Sequence, residues 1–276
     1  MTYREAIKLG ESILQKADIT DAKNDAWLLL AMACKIDRTY YYVHMDEELT
    51  TEQTREYQSV LKKRAERIPL QYITGEQEFM GLTFHVNNNV LIPRQDTETL
   101  VEEALKIIEP GMKVLDMCTG SGCIIISILK NTTDVAGYAC DISKHAINVA
   151  KENAKINNVF VDFERSDLFE KINDKFDVIV SNPPYIETET INKLGIEVQN
   201  EPHLALDGGI DGLKFYKIIA NNAFKYLNEN GYLLLEIGYN QQNSVTQLLQ
   251  DIGKYKNIET VKDLGGNYRV VIARKE

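Results

Sequence analysis

The chain has 276 residues, with 31 Lys and Arg against 41 Asp and Glu for a formal net charge of −10. That balance excludes a strongly basic nucleic-acid coat, though not a local basic patch, and 44% hydrophobic with 26% charged residues is the make-up of a globular protein. The charged N-terminal stretch is not expected to be a signal peptide, and no apolar run approaches the length that spans a bilayer.

Cys34, Cys118, Cys123 and Cys140 form no C-x-x-C pair, and the four histidines have no ligand spacing. A cytoplasmic chain with neither disulfides nor a metal is expected. Residues 1–74 carry 11 basic and 12 acidic side chains and read as helices. Ala6, Leu9, Ile13 and Leu14 fall on one stripe. Asp21 is placed to cap a second helix bearing Ala26, Leu29, Leu30 and Ala33. Thr50 or Thr51 is placed to cap another through Tyr57, Val60, Leu61 and Arg64, ended by Pro69. The run Tyr40, Tyr41, Tyr42 reads as packing at a helix end, with a partner-facing patch as the alternative. A helical bundle over 1–74 is expected, followed by a β-hairpin linker over 75–92 that turns at Gly81.

Pro93 stops the hairpin, and Asp96 is placed to cap a helix through Leu100, Val101, Ala104 and Ile108. From 113 onward strand and helix alternate. Strands are predicted at 114–117, 135–140, 159–164, 176–180 and 232–237, and helices at 124–129, 143–157, 213–227 and near 244–249. The last segments, 258–261 and 269–273, are close enough to pair as a hairpin. The pattern predicts an α/β domain over 93–276, a doubly wound and mostly parallel sheet with a terminal antiparallel pair.

Between the first of these strands and its helix lies Asp116-Met117-Cys118-Thr119-Gly120-Ser121-Gly122. Glycines in such a turn let a ligand approach the backbone, and the following helix offers free N–H groups. Asp141 ends the next strand, where a carboxylate can accept from both hydroxyls of a ribose. The pattern D-x-C-x-G-x-G is not the dinucleotide fingerprint. Asp116 would repel a pyrophosphate but tolerate a cationic sulfonium, so S-adenosylmethionine is favoured. A tight turn without a ligand is the plain alternative.

The strand at 176–180 runs into Asn182-Pro183-Pro184-Tyr185. Two prolines make this loop rigid and remove donors, leaving the Asn182 side-chain oxygen and the Pro183 carbonyl as fixed acceptors beside an aromatic ring. Two acceptors and a ring suit a flat NH₂ group. Such a nitrogen is a poor nucleophile because its lone pair is delocalised. Accepting both hydrogens raises its electron density and aims it at the methyl.

The chain resembles the PrmC/HemK family of peptide chain release factor glutamine N5-methyltransferases, class I enzymes that use S-adenosylmethionine. The likeness runs through RIPLQYITG (67–75), FMGLTF (79–84), LIPR (91–94) with Asp96 and Glu98, NPPY (182–185), EPHLALDGG (201–209), DGL (211–213) and DLGGN (263–267) followed by Arg269. The resemblance implies a helical substrate-recognition domain, a hairpin linker and a Rossmann-like class I methyltransferase domain with a seven-stranded sheet. It implies methylation of the Gln in the Gly-Gly-Gln loop of release factors, leaving S-adenosylhomocysteine. Carried over by position, the cofactor loop is Cys118, Thr119, Gly120, Ser121 and Gly122, the ribose ligand Asp141, and the adenine side Asp167 and Leu168. Asn182, Pro183, Pro184 and Tyr185 would hold the glutamine, with Asn182 also against the cofactor. Cys118 stands where the family has a glycine, and Leu168 where an aromatic is frequent. A monomer with no nucleic-acid or membrane partner is expected. The alternatives are a nucleic-acid amino methyltransferase, which needs a channel for phosphates and a flipped base, and an adaptor that holds a release factor without catalysis. The segment 186–211 reads as an irregular substrate-binding flap, with an insertion of no role as the plain alternative.

Overall fold

In the computed structural model, which describes residues 1–276, residues 1–75 and 195–200 cluster into one unit, and 76–194 with 201–276 into another.

The first unit is built from α1 (Tyr3–Lys16), α2 (Ala22–Cys34), α3 (Arg38–His44), α4 (Thr51–Ala65) and α5 (Leu70–Thr74). Capping boxes start α1, between Thr2 and Glu5, and α4, between Thr50 and Gln53. Asp21 precedes α2 as expected, but its side chain makes no capping bond. Pro69 sits at the start of α5 and so opens a helix; α4 has already ended at Ala65. The three tyrosines lie inside α3, capped by Asp37. Tyr41 packs edge-on to Trp27 at 5.4 Å, and Tyr40 stacks on His44 at 4.1 Å.

The buried face of α1 is Tyr3, Ala6, Gly10 and Leu14, while Leu9 is 40% exposed. The reason is Tyr57, which crosses under α1 to donate from its hydroxyl to the Ala26 carbonyl at 3.1 Å. A Cβ on Gly10 would stand 2.0 Å from that hydroxyl. Arg64 is buried against Asp25 at 2.7 Å, and Glu197 accepts two bonds from Arg67, at 2.7 and 2.8 Å. These bonds place 195–200 with the helices.

The second unit begins with β1 (Glu76–Phe79) and β2 (Leu82–His85), joined at Met80 and Gly81, both with positive φ as a two-residue hairpin turn requires. Phe79 and Phe84 are buried in the same core as Leu100, Val101 and Ile124. Asn153 holds the hairpin from both sides, accepting from His85 N at 2.7 Å and donating to His85 O at 3.0 Å. The hairpin is therefore a packed part of this unit and not a free linker. α6 (Gln95–Leu105) follows. Its capping position is Arg94, and Asp96 lies in the first turn, where it pairs with Arg269 at 2.9 Å.

The chain then runs β3 (Lys113–Met117), α7 (Cys123–Lys130), β4 (Ala136–Asp141), α8 (Lys144–Ile156), β5 (Val161–Arg165) and β6 (Phe176–Ser181). Three single turns follow, α9 (Thr188–Ile191), α10 (Ile196–Gln199) and α11 (His203–Leu206), in place of the irregular flap expected there. α12 (Lys214–Tyr226), β7 (Leu227–Glu236), α13 (Gln242–Ile252), β8 (Tyr255–Lys262) and β9 (Tyr268–Lys275) complete it. The sheet order is β5-β4-β3-β6-β7-β9-β8, with antiparallel pairing at β9 alone. This is the class I arrangement that the resemblance implies.

Alternation along the strands splits the core. Val178 and Val180 pack on the side of α6 and α7, while Ile179 packs with α12 and α13; Val270 and Ile272 divide from Val271 and Ala273 in the same way. The order reverses between β3 and its two neighbours β4 and β6, so a crevice opens beyond their carboxyl ends.

Candidate active site

β3 delivers the glycine loop to that crevice. Cys118, Gly120 and Gly122 all have positive φ, at 62°, 55° and 81°. A Cβ on Gly122 would meet Ala150 Cβ at 3.1 Å, so glycine there lets α7 pack on α8. Gly120 has open space where a Cβ would stand. Asp116, expected to face the cofactor, lies beneath the loop and outside the cavity lining. Its Oδ2 accepts from the Thr119 hydroxyl at 2.6 Å and its Oδ1 has no partner. Burial pushes its pKa up to about 7. Asp116 braces the loop from below.

Asp141 ends β4. Its Oδ2 accepts from Gly120 N at 3.0 Å and its Oδ1 from Ser143 N at 2.8 Å. Each oxygen keeps a second lone pair for another donor. Burial raises its pKa, and the backbone N–H bonds oppose that rise. A cavity of about 270 Å³ is lined by Cys118, Thr119, Gly120, Ser121, Asp141, Asp167, Leu168, Asn182 and Pro184, among others. Gly122 is not on the lining. Asp167 is exposed at this wall, and Leu168 is buried with φ 47°.

β6 delivers Asn182. Ser181 donates to the Met117 carbonyl at 2.6 Å, which ties the two strand ends together. The Asn182 amide donates from Nδ2 to Thr97 Oγ1 at 3.2 Å, leaving Oδ1 free. Pro183 and Tyr185 do not line the cavity. The Tyr185 hydroxyl instead turns inward and donates to Glu236 Oε1 at 3.3 Å, and its carbonyl accepts from Gln241 Nε2 at 2.9 Å. The ring therefore packs behind the loop, off the cavity lining. A Cβ on Gly208 or Gly212 would collide with the Tyr185 backbone, at 2.7 and 2.5 Å.

Residues 5–75 match the PrmC N-terminal domain and residues 95–209 the Methyltransferase small domain. The release factor glutamine methyltransferase of Clostridium acetobutylicum is 40% identical over 281 residues, covering 99% of this chain and 98% of the relative. The chain belongs to the release factor glutamine methyltransferase family. The family's Geobacter sulfurreducens member is 39% identical over 275 residues, covering 99% of this chain and 96% of its own. A methyltransferase from Pyrococcus furiosus shares the fold, with a TM-score of 0.55 over 71% of this chain and 89% of its own at 18% identity. No helix is long and apolar enough to cross a membrane.

Cys118 and Leu168, the two positions that the resemblance marks as departures, both have left-handed backbone. A cysteine in that conformation costs about 1–2 kcal/mol that a glycine would not. Sequence reasoning missed Thr97, Glu201, Glu236 and Gln241 as parts of the site's support. Glu201 is buried, accepts from Ile92 N at 3.0 Å and pairs with Arg94, so the LIPR and EPHL segments of the family are fastened to each other. Gln241 bridges Tyr185 O, Gly212 O and Gly238 N. The family motifs hold some of these residues, but no spacing along the chain announces which segment each one meets.

Proposed function

We propose that this chain transfers a methyl group from S-adenosylmethionine to the side-chain amide nitrogen of the Gln in the Gly-Gly-Gln motif of peptide chain release factors, leaving S-adenosylhomocysteine. The observation that carries this reading is Asn182. It lines the same cavity as Gly120 and Asp141, and its amide is held through Nδ2 so that Oδ1 remains an available acceptor.

The residues present fit the cofactor. Gly120 offers open space, Asp141 keeps a free lone pair on each oxygen, and Asp167 is an exposed acceptor at the wall. S-adenosylmethionine, when bound, supplies a methyl on a cationic sulfur. Asp141 takes the two ribose hydroxyls, Asp167 and Leu168 stand on the adenine side, and the loop from Cys118 to Gly122 carries the rest. Asn182 Oδ1 accepts one N–H of the substrate amide, and the other is assigned to the Pro183 carbonyl next along the rigid loop, although Pro183 lies off the cavity lining. Pro184 walls the pocket, and Tyr185 stiffens the loop. Orientation and preorganised dipoles supply the acceleration, with no strong base required. The first unit contributes no residue to the cavity lining and is assigned to recognition of the release factor. The enzyme is read as a cytoplasmic monomer.

Incubation with labelled S-adenosylmethionine and a release factor, or with RNA and DNA, tests the reading. Label on the release factor glutamine is expected. Label on nucleic acid alone would move the assignment to a base.

A further inference from the structure

The DLGGN turn between β8 and β9 closes on its own first residue. Asp263 N donates to Asn267 O at 2.9 Å, and Asn267 N donates to Asp263 Oδ1 at 3.0 Å. The other carboxylate oxygen is left for the strand that follows. Asp263 Oδ2 accepts from Arg269 Nε at 3.1 Å, and the two side chains are 3% and 9% exposed. A guanidinium offers donors in a rigid planar fork. Here all three of its nitrogens are used. Nη1 donates to the Ile237 carbonyl at 3.2 Å, and Nη2 lies 2.9 Å from Asp96 Oδ2.

Two of these partners stand next to the supports of the Asn182–Tyr185 loop. Ile237 follows Glu236, whose Oε1 accepts from the Tyr185 hydroxyl at 3.3 Å. Asp96 precedes Thr97, whose Oγ1 accepts from Asn182 Nδ2 at 3.2 Å. The Thr97 side depends on this contact more, because α6 begins without a side-chain cap. Arg94 stands at the capping position and makes no capping bond. Helix ends fray when their free N–H groups find no such partner. Side chains of the first turn hold it instead, with Glu98 accepting from Met80 N at 2.6 Å and Asp96 paired to Arg269. Asp96 is the one adjacent to Thr97, and its side chain is 54% exposed. Its ion pair can be removed without opening the core.

We propose that Arg269 is a positioning residue for methyl transfer: clamped by Asp263, it holds Asp96 and so keeps Thr97 seated against the Asn182 amide. The inference rests on the glutamine methyltransferase reading above. Asp96, Asp263 and Arg269 lie off the cavity lining and touch no reacting atom. A misplacement of about 1 Å in a group that orients a substrate costs about 10²-fold in rate, so a loosened first turn of α6 is felt at Asn182 Oδ1.

Three variants test it. Asp96→Ala cuts the link at its exposed end and leaves Arg269 with Asp263 and Ile237. Asp96→Asn keeps an oxygen for Nη2 and removes the charge. Arg269→Lys keeps the charge but has no planar fork to reach three partners. The measurements are single-turnover methyl transfer to a release factor, calorimetric affinity for S-adenosylhomocysteine, and thermal melting. Asp96→Ala and Arg269→Lys should slow transfer by roughly tenfold or more, with cofactor affinity little changed, and Asp96→Asn should recover most of the rate. The decisive measurement repeats Asp96→Ala in an Asn182→Ala background. The effect runs through Asn182, so there it should slow transfer no further. Transfer by Asp96→Ala at the wild-type rate, an Asp96→Asn variant as slow as Asp96→Ala, or equal slowing with and without Asn182 overturns the proposal. If Arg269→Lys does not fold, the Asp96 variants still decide. A wild-type protein that leaves the release factor unmethylated overturns the functional reading itself, and this control separates the two failures.

Discussion

Asp141 Oδ2 accepts from the Gly120 backbone N–H at 3.0 Å, so the carboxylate and the glycine loop are one piece of structure before a ligand arrives. The sequence suggests an acid that serves the ribose and little else. The structure gives it two jobs, since Oδ1 also anchors the start of α8 through Ser143 N. Asp141→Ala is expected to weaken S-adenosylhomocysteine binding by roughly tenfold or more, because a lost charge-assisted hydrogen bond costs about 1.5–3 kcal/mol. It should also lower the melting temperature, as two backbone donors lose their acceptor. Calorimetry and thermal melting measure the two effects separately, and unchanged affinity would put the ribose elsewhere.

Asn182→Ala removes the acceptor that the proposed mechanism depends on. Single-turnover transfer should fall by about 10²–10³, with a smaller change in cofactor affinity. Asn182→Asp keeps an acceptor oxygen but cannot donate to Thr97, so it should bind cofactor well and retain only partial activity. A near wild-type rate for the alanine variant would reduce the loop to a strand terminator.

Glu236 has its pKa pushed up to about 7 by burial, from the ordinary 4.5, with Thr97, Arg269 and Tyr185 opposing the rise and Asp96 adding to it. The folded chain thus holds this proton more tightly than the unfolded chain between those two values. Stability from this group is present below the lower value and is lost as pH rises through about 7. Glu236→Gln cannot lose a proton, so its melting temperature should gain on the wild type from about pH 5 to about pH 8 and then run parallel. A constant difference across that range would show that Glu236 is not buried as an acid. Asp116 adds a slope of the same sign, common to both proteins.

Gly10 lies inside α1, where alanine would ordinarily help the helix by about 1 kcal/mol. Here the Tyr57 hydroxyl occupies the space. Gly10→Ala should therefore destabilise by about 1–3 kcal/mol. Tyr57→Phe alone should cost about 1 kcal/mol, since the Ala26 carbonyl loses its donor. In the double variant the alanine should cost much less than it does alone. Denaturant unfolding of the four proteins checks this, and additive costs would mean the two side chains do not meet.

Local patterns carried much of this protein. The strands 114–117 and 176–180, the capping of α4 by Thr50 and of α8 by Ser143, and the turns at Gly120 and Gly122 all follow from apolar period, capping chemistry and backbone freedom. These depend on neighbours a few residues away, which the chain displays directly. The insertion of β9 between β7 and β8, the descent of Asp116 beneath its loop, the inward turn of Tyr185 and the burial of Gly10 in place of Leu9 depend on which elements come to lie side by side. So does the bond from Asn182 to Thr97, 85 positions apart. A hydrogen bond acts over about 3 Å of space whatever the separation along the chain. Its partner is therefore chosen only once the ends of β6 and β7 and the first turn of α6 have been packed against one another.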